Sequence, residues 1–79
     1  MRVTVEVFLK PGVLDVQGKA VEGALHGLGW GGVTDVRVGK TVTFDWPGVD
    51  AAAAAAAAAA MCERLLANTV IESYQVSVG

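Results

Sequence analysis

The chain has 79 residues, with 6 Lys and Arg against 8 Asp and Glu and a formal net charge of −2. That balance excludes the basic footprint of a nucleic-acid binder, and the length points to one domain over residues 1–79 with a small core that gains from self-association or a partner. Cys62 is the only cysteine, so no disulfide framework is expected, and without a signal-like N-terminus a reducing, cytoplasmic setting is expected.

Val3, Val5, Val7 and Leu9 alternate with Arg2, Thr4, Glu6, Phe8 and Lys10. Period-two alternation predicts a half-buried strand with one inward face. Phe8 falls on the outward face, either as a scattered surface aromatic or as a self-association contact, where aromatics are enriched. Pro11-Gly12 then forces a turn. Asp15 is placed to cap a helix from about Asp15 to Leu28. Leu14, Val21, Leu25 and Leu28 share one stripe of that helix. Gly18, Gly23 and Gly27 weaken it, which makes sense where something approaches closely. His26 lies near its C-terminus, where a partly charged imidazole is favoured. Trp30, between Gly29 and Gly31-Gly32, is expected as a half-buried wedge under the helix end.

From Val33 to Trp46 the even positions Val36, Val38, Val42, Phe44 and Trp46 carry the apolar residues. An odd loop, Gly39-Lys40-Thr41, makes this a hairpin that pairs Val38 with Val42 and Val36 with Phe44. The competing reading is one bent strand with a bulge at Gly39. Pro47-Gly48 ends the strand, and Asp50 caps a second helix that begins with ten alanines, Ala51 to Ala60. Alanine is the best helix former, but a uniform tract has no polar face and buries only methyl groups. The tract therefore reads as stand-ins for other side chains at some or all of these positions, the alternative being a genuine low-complexity insert. An intact mass equal to that of the sequence as written would overturn this. The helix continues to Ala67, with Cys62 as a buried structural thiol and Asn68 as a left-handed C-cap. Val70 to Val78 closes the chain as a strand, with Tyr74, Val76 and Val78 on one face.

The order β-α-β-β-α-β predicts an α+β, ferredoxin-like domain, an antiparallel sheet with two helices on one face and the other face bare for pairing. Chemistry is sparse. Gly27 to Gly32 is glycine-rich but follows a helix, the wrong context for a phosphate loop. No histidine–acid or cysteine–base pair forms a motif, and no second ligand accompanies His26. The residues alone describe an interaction module.

The run from Lys10 to Leu25, Lys-Pro-Gly-Val-Leu-Asp-Val-Gln-Gly-Lys-Ala-Val-Glu-Gly-Ala-Leu, resembles the signature of the PurS family. Val36-Arg37-Val38-Gly39-Lys40, Met61 to Asn68, and Val70-Ile71-Glu72-Ser73-Tyr74 match it in the same order. Val16 and Thr69 depart from it where the family usually has proline, and the alanine tract replaces a charged amphipathic stretch.

The resemblance implies a non-catalytic small subunit of phosphoribosylformylglycinamidine synthase, in de novo purine biosynthesis. It implies PurL-type synthetase and PurQ-type glutaminase partners, a bridging role that assists ammonia transfer, and a homodimer or homotetramer. This chain would carry no cofactor, and ATP and Mg would belong to the synthetase subunit. Lys10, Asp15, Gln17, Gly18 and Lys19 form one expected partner-binding corner, and Arg37, Gly39 and Lys40 a second. Each also has a plain reading as capping or a solvated turn. The alternative function is a small regulatory ligand-binding module of ferredoxin-like fold.

Overall fold

A computed structural model describes residues 1–79 as an elongated α+β protomer measuring 49 × 24 × 14 Å. Strand β1 (Arg2–Leu9) leads through the Pro11-Gly12 turn to helix α1 (Val16–Gly27). Strand β2 (Lys40–Asp45), helix α2 (Ala51–Met61), a π-helical turn (Cys62–Leu66) and strand β3 (Glu72–Val78) follow. The strands form an antiparallel sheet in the order β2-β1-β3. The ferredoxin-like α+β class expected from the element order is the class observed.

Strand β1 is central because its alternation is the cleanest. Val3, Val5 and Val7 are almost wholly buried. Val3 pairs with Phe44 and Val78, and Val5 with Val42 and Val76. All of these lie on one sheet face, since side chains of directly paired residues share a face. Helix α2 covers this face over β1 and β3. Ala54, Ala58 and Cys62 form its buried stripe at four-residue spacing. Asp50 caps it by accepting from the Ala53 amide at 2.8 Å. The π turn then carries the stripe on to Leu66 and Ala67, which pack on the core, while Leu65 faces solvent. Cys62 is fully buried, and burial, with nearby Glu63, pushes its thiol pKa up.

Several expectations change. The hairpin from Val36 to Phe44 does not form. Residues 33–39 belong to no helix or sheet, and β2 pairs with β1 instead. The expected αL cap at Asn68 is also absent. Its Oδ1 accepts from the Val70 amide at 3.2 Å, and Glu72 Oε1 accepts from the Asn68 amide at 2.6 Å. Trp30 is 58% exposed and wedges under nothing. Of the three helical glycines only Gly18 has a close neighbour; a Cβ at Gly23 or Gly27 would meet open space. The opposite sheet face is polar, with Thr4, Glu6, Thr43, Gln75 and Ser77 in register.

Candidate functional site: the corner at the start of helix α1

The corner is built on Asp15. As N-cap of α1, its Oδ1 accepts from the Gly18 amide at 2.8 Å. Its Oδ2 accepts from the Val38 amide, 23 residues on, at 2.7 Å. The residue is only 5% exposed. The Val38 amide and then the Gly18 amide hold its pKa below the ordinary carboxylate value, with a smaller contribution from the Arg37 charge. Seven residues further along α1, Glu22 accepts from the Val36 amide at 3.2 Å. Two carboxylates on one helix face thus satisfy two backbone donors of the 33–39 segment.

Gly18, between them, lets the segment come this close. A Cβ there would collide with the Val36 carbonyl oxygen and the Asp15 carboxylate. Arg37 faces the other way, donating to the carbonyls of Val13 and Lys10 at 3.3 Å each. Helix start, turn and the 33–39 segment are therefore tied together by five side chain–backbone hydrogen bonds.

Two open cavities flank Arg37. One, of about 280 Å³, lies between the Gly12 turn, Lys19, Glu22 and Asp35. The other, of about 370 Å³, lies between Phe8, Pro11 and Arg37. Asp35, on both rims, is the one non-glycine residue with positive φ, at 52°, a conformation Asp tolerates better than most.

The expected contact residues separate into two sets. Asp15 and Gly18 are buried and serve as scaffold. Lys10 donates to the Thr69 carbonyl at 2.7 Å, pinning the Pro11-Gly12 turn to the turn that precedes β3. Gly39 is a close-approach position: a Cβ there would sit 2.5 Å from the Phe8 ring and 2.8 Å from the Val7 carbonyl oxygen. Phe8, 42% exposed, therefore has a neighbour within its own chain. Gln17, Lys19, Arg37 and Lys40 remain solvent-facing. The two expected corners meet as one, joined through Asp15–Val38 and Arg37–Lys10. Glu22 was missed, although its spacing from Asp15 and Gly18 (i, i+3, i+7) marks a single helix face. No group of three or more His, Cys, Asp or Glu side chains comes together to hold a metal ion. No helix is long and apolar enough to cross a membrane.

The family model PurS, described as phosphoribosylformylglycinamidine (FGAM) synthase, matches residues 2–79. The chain belongs to the PurS family. The chain is 46% identical over 77 residues to phosphoribosylformylglycinamidine synthase subunit PurS of Bacillus subtilis, covering 98% of this chain and 90% of the relative. The crystal structure of Methanocaldococcus jannaschii PurS, one of the subunits of formylglycinamide ribonucleotide amidotransferase, superposes with a TM-score of 0.88 at 32% identity, covering 99% of this chain and 94% of that one. A chain in the structure of PurLQS from Thermotoga maritima superposes with a TM-score of 0.85 at 26% identity, covering 96% and 93%.

Proposed function

We propose that the chain is the small, non-catalytic subunit of a cytoplasmic phosphoribosylformylglycinamidine synthase, and that it bridges a PurL-type synthetase and a PurQ-type glutaminase so that ammonia passes between them. The match to the PurS family along residues 2–79 carries this reading. ATP and Mg belong to the synthetase subunit. The chain self-associates as a homodimer or homotetramer.

The corner fits a bridging role because its outer residues stand on a braced frame. Gln17, Lys19, Arg37 and Lys40 project from two segments locked by Asp15 and Glu22, so their spacing is set before a partner arrives. Preorganisation of this kind lowers the ordering cost of association. Lys10, Asp15, Gly18 and Gly39 hold the frame, and Phe8 backs it at Gly39.

Reconstitution with the synthetase and glutaminase subunits tests the proposal. Addition of the chain should co-purify both and restore glutamine-dependent synthesis, while leaving ammonia-dependent synthesis by the synthetase less affected. Arg37→Ala with Lys40→Ala should weaken assembly and the glutamine-dependent rate together. Unchanged assembly and rate in that variant would remove the corner from the interface. A metabolite bound by the chain alone, with no partner retained, would favour the regulatory-module reading.

A further inference from the structure

Four of the chain's six Lys and Arg, and three of its eight Asp and Glu, belong to the segments that meet at the corner. Elsewhere, Arg2 and Arg64 stand against five carboxylates. An acidic chain of net charge −2 thus gathers its cations at one corner. The carboxylates there do not pair with them. Asp15 is turned inward onto the Gly18 and Val38 amides, and Glu22 onto the Val36 amide. The one ion pair of the protein, Arg2–Asp45 at 3.1 Å, lies at the opposite end of β1. Lys19 and Arg37, which line the same cavity, therefore have no carboxylate partner. A guanidinium carries five N–H donors. Arg37 gives two of them to the Val13 and Lys10 carbonyls and has three left over. Those two bonds fix the group between the two cavities with donors to spare.

We infer that the corner receives an acidic protein segment of a larger subunit, one carboxylate of that segment pairing with Arg37 and Lys19. This inference rests on the bridging role proposed above and names the chemistry of the partner. A braced guanidinium suits a carboxylate, whose two oxygens match its fork of donors. Asp35 decides between a free anion and a peptide. It stands on both cavity rims, exposed, at positive φ and without a hydrogen-bond partner. A carboxylate beside the site repels an isolated anion such as inorganic phosphate. A peptide brings backbone N–H groups next to its acidic side chain, and these donate to Asp35 while the side chain pairs with Arg37. Lys10 and Lys40, on the flanking segments, add positive potential that steers an acidic surface toward the corner.

The test treats the complex of the chain with synthetase and glutaminase with a water-soluble carbodiimide, which joins an amine to a carboxylate only where the two touch. The lysines of the chain are Lys10, Lys19 and Lys40, and peptide mass mapping tells them apart. The expected product is an amide link from Lys19 to an Asp or Glu of a larger subunit, which also identifies that subunit. A complex that forms without a Lys19 link would overturn the acidic-partner inference and leave the bridging role standing. Absence of any complex would overturn the bridging role, and this inference with it. The Lys19 side chain takes no part in the bracing hydrogen bonds, so Lys19→Glu should keep the circular dichroism and thermal midpoint of the chain. It should weaken assembly by about tenfold at low salt, and the difference should narrow as salt screens the pair. Arg64→Glu, which reverses an exposed cation outside the corner, should leave assembly unchanged. Equal losses in the two variants, or no loss in Lys19→Glu, would count against the corner as the seat of an acidic segment.

Discussion

Strand β1 and helix α1 are neighbours in sequence and opposites in burial. Both carry a clear apolar face. The face of β1 is closed by two flanking strands and α2, with Val3, Val5 and Val7 removed from water. The face of α1 meets solvent. The polar side of α1 is tied to the 33–39 segment, whose Val36 and Val38 amides are taken by Glu22 and Asp15. The two faces therefore differ within one protomer: β1 is buried and α1 is open.

Substitutions should fall differently on the two regions. The largest effect is expected in the core. Val5→Ala leaves a void beneath α2 and should lower global stability by about 2 kcal/mol or more, read as an earlier urea midpoint with an unchanged slope. An effect confined to β1 amide exchange would mean the sheet is not the cooperative unit.

Gly18→Ala should come next and act locally. Its methyl has no room beside Val36, so the 36–38 segment must move, and exchange at the Val38 amide should accelerate more than at Val5. Five positions along the same helix, Gly23→Ala should act in the opposite direction. That methyl meets open space, and helix propensity predicts a gain of roughly 0.5–1 kcal/mol. Equal and parallel effects at the two glycines would break the distinction between scaffold and open face.

The smallest effect is expected from pH. The pKa of Asp15 is lowered in the folded chain, so its stabilisation is fully present above the ordinary value of 3.8 and is lost as pH falls through the lowered value. Protection of the Val38 amide should fall over that acid range while protection at Val5 persists. Asp15→Asn should flatten the profile. A flat profile in the unaltered chain would show that the carboxylate does not hold the segment.

Much of this was legible in the residues. The alternation around Val5, the Pro11-Gly12 turn, the cap at Asp15 and the inward set Tyr74, Val76 and Val78 all followed from period and turn chemistry. The segment from Val33 to Gly39 did not. Its alternation is genuine, but period two alone does not secure a strand partner. The Val38 amide goes instead to Asp15, a long-range carboxylate–amide bond that no local pattern encodes. Trp30 misled for a related reason, because an aromatic beside a helix end suggests burial only when something lies beneath that end. Gly39 kept its importance with a different cause: its backbone lies against Phe8 rather than turning a hairpin.

The central claim is that β1 is buried within one protomer and the apolar stripe of α1 is not. Hydrogen exchange across a dilution series tests it most directly. Amides of β1 should keep the same protection at every concentration, while those of α1 should gain protection as the chain associates. Protection of α1 that matches β1 and does not change with concentration would contradict the account.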